Sequence, residues 1–243
     1  MIVLFMALEL LTRAELVTPD YLPPASEIIG ETVLLFGRTA FWSAFWATMQ
    51  SCVIGLGLAT VVAVPIGLLL GLSTWAHKAA ITIVELLRPI PSVALIPLAI
   101  LVWGRGTEMK VALIVYACVW PILFNTIYGT DQVDSIGADT ARVLGMSRTK
   151  TMWRVQLPAA SPFIFTGVRI AASVALILAV STEIIAGGAN GLGIQLELAR
   201  SFGDLKLSYA FTIVTGLVGL AMHFLFEAIE RRRFAWATQA QAS

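Results

Sequence analysis

Charge is scarce in this sequence. Asp, Glu, Lys and Arg make up 13% of its 243 residues, against about a quarter in a soluble domain. Cysteine and histidine number two each. Cys52 and Cys118 fall inside apolar runs and read as small packing residues. There is no G-x-x-x-x-G-K-[ST], so the chain does not bind ATP through a P-loop. No Ser-His-Asp, metal-ligand or paired-carboxylate set has enough members at depth to argue catalysis, and no catalytic or metal residue is assigned. The net charge of +1 gives no reason to expect nucleic acid as a partner. GGANGLG, around Gly187, Gly188, Gly191 and Gly193, lacks the βαβ context of a dinucleotide fingerprint and reads as a tight turn.

Apolar runs fill the space that charge leaves. Hydrophobic residues reach 58%, and several runs exceed the roughly twenty residues that span a bilayer as a helix. They are continuously apolar, without the alternation of a β-barrel. The expected fold is all-α, a polytopic transmembrane bundle of about six spans. MIVLFMALELLTR is apolar from its first residue, lacks a basic n-region and reads as a short or truncated first span rather than a cleavable signal. The expected divisions are a first segment over 1–17, an external linker over 18–38, a core of five transmembrane helices over 39–233 with a loop over 131–160, and a tail over 234–243.

Within that plan, the linker holds a short amphipathic helix capped near Ser26. The second span begins at FWSAFW, and on it Gly55, Ala59, Ala63, Gly67 and Gly71 recur every fourth residue. That bare face admits a second helix closely, although a moving gate helix would use it too; Pro65 should bend the span. A third span is expected near Leu86 to Trp103, broken by Pro89, Pro91 and Pro97. A fourth runs from Lys110 to Tyr128, a fifth from Pro162 to Ala186 and a sixth from Ser208 to Ile229. Lys78, Arg142, Arg148, Lys150, Arg154 and Arg231 to Arg233 fall on one side. Arg13, Arg38, Arg105, Lys110, Arg200 and Lys206 fall on the other. This bias puts the loop over 131–160 and both termini in the cytoplasm.

Between the fourth and fifth spans lies DTARVLGMSRTKTMWRVQLPAASP, a basic, helix-forming insert. Ile136 to Leu144 reads as one helix stopping at Gly145. Ser147 caps a second, on which Met152, Trp153 and Val155 offer apolar contact, and Pro158 closes the unit. Such an element suits anionic lipid, an inert connector, or a docking surface for a soluble partner.

The insert resembles the cytoplasmic loop of type I ABC importer permeases: Glu-Ala-Ala, three residues, Gly, nine residues, Ile, one residue, Leu-Pro. The matching positions are Asp139, Thr140, Ala141, Gly145, Val155, Leu157 and Pro158, with every spacing intact. Asp139, Thr140 and Val155 depart mildly from the pattern. LPPASEI, VPIGLLLGLS, LLRPIPSVALIPLAILVWG, PILFNTIYG and TGVRIAASVALILAVSTEIIAGGANGLG are similar to successive stretches of the subfamily that imports sulfonates, taurine, nitrate and related compounds. The resemblance implies the type I importer permease fold, with the insert as a coupling helix. Its implied partners are two copies of a cytoplasmic ATPase that holds ATP and Mg, an external substrate-binding protein and a second permease copy. All would sit at a bacterial inner membrane.

Charges inside the spans are costly unless they face protein or water. Thr166, Arg169, Ser173, Val180 and Glu183 share one face of the fifth span. The stripe reads as a translocation path, with an internal ion pair or helix contact as the alternative. Glu85 and Arg88 sit one turn apart, and His223 and Glu227 share a face of the last span. Two other classes compete: an ion-coupled secondary transporter, which would usually carry repeats and midplane acids, and an intramembrane enzyme, for which no residue set can be assembled.

Overall fold

The computed structural model describes residues 9–10, 12–14, 21–71, 90–131, 140–141 and 143–234. Every regular element among them is helical. Among the described residues, four helices are long and apolar enough to cross a membrane: α2 (Thr39–Gly71), α4 (Thr107–Asp131), α6 (Leu157–Ala186) with the turn before it, and α8 (Leu205–Arg233). Shorter helices are α1 (Ala25–Leu35), α3 (Ile96–Trp103), α5 (Arg148–Thr151) and α7 (Leu192–Ser201). The 33 residues of α2 are about 50 Å long at 1.5 Å per residue, more than the hydrocarbon thickness, so the helix must tilt or extend beyond it. Pro65 lies inside α2 without ending it.

Close approach of α2 and α4 organises the core. A Cβ on Gly55 would stand 2.5 Å from the Ile114 side chain, one on Gly67 would stand 2.7 Å from that of Thr126, and one on Gly71 would overlap Thr130. Ala59 and Ala63, between them, are fully buried. This is the small-residue contact that lipid, offering no hydrophobic drive, requires. On the other side of α4, Gly167 of α6 approaches Asn125 and the Pro121 carbonyl. Val53, Val61 and Leu69 of α2 point outward and are exposed, as lipid-facing residues of a membrane helix would be. A second cluster joins α1, the start of α2, α7 and α8 through Leu35, Phe41, Leu192, Phe211 and Val214. The indole of Trp42 caps it by donating to the Phe36 carbonyl at 2.9 Å.

The structure differs from the sequence expectations in several places. Ser26 does not cap α1. Pro24 holds that position, and Ser26 gives its amide and hydroxyl to Glu9 at 3.0 and 2.8 Å. The third span is described only from its later half, as a 3-10 turn over Ser92–Leu95 leading into α3. Pro91 is extended, and Pro97 sits in the first turn of α3, where a missing N–H does no harm. Residues 72–89, with His77, Glu85 and Arg88, lie outside the described residues.

Pro158 does not close the insert. From Arg148 the chain runs through α5 and a π turn over Met152–Gln156 straight into α6, so the fifth span begins well before Pro162. A proline inside an α-helix clashes with the carbonyl four residues back and leaves it unpaired. The wider π turn changes the pairing just ahead of Pro158, which then occupies the first turn of α6.

Candidate translocation and coupling sites

At one end of the bundle, α6 stops at Gly187 and Gly188, with φ of +70° and +147°. Those two left-handed residues turn the chain back, and α7 starts at Leu192 with its first amides over Glu183. The Glu183 carboxylate is fully buried. It accepts from the Thr48 hydroxyl at 2.9 and 3.0 Å, the Lys110 ammonium at 2.9 Å and the Gly193 amide at 2.9 Å. The Thr48 oxygen in turn accepts from the Leu192 amide at 2.9 Å. One carboxylate therefore ties together α2, α4, α6 and the N-terminus of α7, where the helix dipole favours negative charge. A Cβ on Gly191 would overlap this carboxylate, and one on Gly193 would stand 2.6 Å from the Val180 carbonyl. The glycine-rich loop serves this approach as well as the turn.

Lys110 is corrected by this geometry. It lies inside α4, 6% exposed, and is not a loop charge. Neither Lys110 nor Thr48 was singled out as a partner of Glu183. The available signal was a lysine in an apolar run and a lone acid deep in another, each needing compensation.

At the other end of α6, Arg169 Nη1 donates to Glu230 Oε2 of α8 at 2.6 Å, and the Thr166 hydroxyl lies 3.3 Å from Glu230 Oε1. The pair is partly exposed, at 31% and 27%. Ser173, one turn on, is exposed. The stripe thus falls into a half-buried cationic end, an exposed hydroxyl and a sealed acid. Glu227 accepts from Arg231 at 2.6 Å, while His223 lies edge-on to Phe224. Beside the stripe, a cavity of about 360 Å³ between α4, α6 and the turn before α3 is lined by Ser92, Trp120, Asn125, Ile170 and Val174, among others. The Trp120 indole N–H is buried there with no partner among the described residues.

In the insert, Asp139 and Arg142 lie outside the described residues, as does most of the expected first helix. Thr140, Ala141 and Val143 are helical. Gly145 follows at φ +73°, and the Met146 amide donates back to the Ala141 carbonyl at 3.0 Å, a left-handed helix stop that glycine adopts without steric penalty. The Lys150 amide reaches Ser147 Oγ at 3.4 Å. Ala141 is buried, and Val155 and Leu157 are partly so. Val143, Leu144 and Trp153 are 87, 74 and 60% exposed.

A helical bundle with close-packed apolar spans and a buried ion-pair junction is the architecture of a polytopic membrane protein. The solved inward-facing MetNI methionine ABC transporter carries the same fold, with a TM-score of 0.67 over 77% of this chain and 93% of that one at 17% identity. Residues 63–235 match the family described as the binding-protein-dependent transport system inner membrane component, and this chain belongs to that family. It is a permease subunit of an ABC importer, not an enzyme.

Its relatives include the taurine transport system permease protein TauC of Escherichia coli, 29% identical over 93% of this chain and 84% of that protein. The bicarbonate transport system permease protein CmpB of Synechococcus elongatus is 32% identical over 73% of this chain and 65% of that protein. The nitrate import permease protein NrtB of Leptolyngbya laminosa is 30% identical over 77% and 68%. Family membership disfavours the ion-coupled alternative and assigns nucleotide binding to a partner ATPase.

Proposed function

We propose that this permease carries a small organic or inorganic anion across a bacterial inner membrane, as half of a homodimer served by two copies of a cytoplasmic ATPase and an external binding protein. The insert, from Asp139 to Pro158, is the coupling element. The observation that carries this reading is the exposure of Val143, Leu144 and Trp153, three large apolar side chains on an insert that also carries Lys150 and Arg154. Three large apolar side chains left exposed on one short insert fit a protein partner better than water. Continuity of α5, the π turn and α6 makes the insert the end of a rod reaching the Glu183 junction, so a rigid shift imposed by the ATPase would move the fifth span as a lever.

Thr166, Arg169, Ser173 and the cavity at Trp120 line the path, and Glu183 stands at its far end as the joint that holds α6. Removing Lys110 from the loop charges strengthens the basic bias of the insert's side, which supports cytoplasmic termini. The anion reading draws on the taurine, bicarbonate and nitrate relatives. ATP and Mg belong to the ATPase, whose closure would switch the path from inward- to outward-facing.

The test is a mild-detergent pull-down of the tagged chain from its native membrane, with Leu144→Asp and Gly145→Val beside the wild type. Leu144 is exposed, so its replacement leaves the fold intact. The expected result is a P-loop ATPase retained by the wild type and lost from both variants. Retention by Leu144→Asp at wild-type yield would remove the insert as the docking surface.

A further inference from the structure

At the end of the bundle that holds Glu183, a second cavity of about 160 Å³ opens between the start of α4 and the glycine-rich turn after α6. It is lined by Arg105, Thr107, Lys110, Gly187, Gly188 and Asn190, among others. This is well below the roughly 300–1,000 Å³ of pockets for drug-sized ligands. Two of the chain's sixteen Lys and Arg residues meet here. Arg105 is exposed at its rim and makes no ion pair among the described residues. Lys110 is buried in its wall, and its ammonium gives one of three N–H donors to Glu183. No described residue takes the other two. The Thr107 hydroxyl is likewise exposed, with no partner among the described residues, whereas Asn190 is held by Ser43 and by the Gly191 amide.

We infer that this cavity is a binding site for a small oxyanion, a sulfonate, carbonate or nitrate group, at the mouth of the permease. The inference rests on the anion-importer reading and names where the anion first meets this chain. Glu183 neutralises one cation, so the site keeps a net positive charge from Arg105, focused by the low-dielectric walls. The planar guanidinium pairs with two oxygens of a trigonal or tetrahedral anion. Lys110 adds its spare donors from below, and Thr107 adds a hydroxyl. The site selects for charge and small size, leaving finer selection to whatever delivers the anion.

The experiment uses the complete transporter, with its ATPase and binding protein, and the variants Arg105→Gln, Arg105→Lys and Thr107→Val. Saturation-transfer NMR with taurine, on the complex in detergent without the binding protein, reads the site directly. ATP-driven uptake of taurine and nitrate into proteoliposomes reads its use. The expected result is a taurine signal in the wild type that nitrate abolishes and equimolar chloride does not. That signal should fall at least fivefold in Arg105→Gln, partly return in Arg105→Lys and weaken in Thr107→Val, with uptake falling in the same order.

A taurine signal unchanged in Arg105→Gln, or absent from the wild type, overturns the site. If Arg105→Gln keeps the signal but loses stimulation of ATP hydrolysis by the binding protein, Arg105 is a docking residue and the site is again overturned. If the signal depends on Arg105 but no anion is taken up, the site stands and the anion-importer reading fails.

Discussion

Glu183 illustrates how one residue is set by its surroundings. An isolated carboxylate at zero exposure is not sustainable in a low-dielectric interior, and three partners on three other elements make it so. Breaking such a pair leaves an uncompensated charge and costs about 3–5 kcal/mol. We expect Glu183→Leu and Lys110→Met each to lower the thermal unfolding midpoint in detergent by several degrees. The double variant should be less impaired than the sum of the two, because neither charge is then left alone. Strictly additive losses would mean the two side chains are not coupled. Arg169 sits in a different balance. It is partly exposed and paired with Glu230 across a single helix contact, leaving it closer to water and freer to change partners as α8 moves.

At the scale of elements, the bare face of α2 decides how near α4 can come. Gly67→Leu would drive a branched side chain into Thr126, where even a Cβ is too close. Overpacking of this kind costs about 1–3 kcal/mol, so the variant should unfold at lower temperature and yield less folded protein from membranes. Gly57→Leu, at an α2 position with nothing within 4 Å of the added Cβ, serves as the control and should behave as wild type. Equal effects of the two would mean that α2 and α4 do not depend on that contact.

The same element scale explains the misread insert. Pro158 is a reasonable stop signal by local rules, but the π turn before it is a change of pairing that no residue pattern announces. The expected separate helix is therefore the leading end of the fifth span.

For the whole molecule, the outward side chains of α2 and α8, including Val61, Leu69, Leu217 and Phe224, leave much apolar surface for lipid or another copy. A homodimer with two ATPases predicts a native mass, by mass spectrometry of the detergent-released complex, equal to two permeases plus two ATPases. A mass containing one permease of this sequence and one of another would replace the homodimer with a heterodimer.

Sequence alone determined the solvent and the plan. Scarce charge and continuous apolar runs demand helices in lipid, because only helices satisfy their own backbone there. The spacing from Thr140 through Gly145 to Pro158 marked the insert, since glycine at a left-handed stop is a local requirement readable in one dimension. The fourfold run from Gly55 to Gly71 likewise marked a contact face before its partner was known.

Tertiary structure alone decided which charges meet. Thr48, Lys110 and Glu183 are separated by 62 and 73 residues along the chain, yet converge on one carboxylate. Arg169 reaches Glu230 in the same way, 61 residues on. Electrostatic compensation inside a bundle depends on distances between helices, and those follow from how glycine and alanine faces let the helices approach.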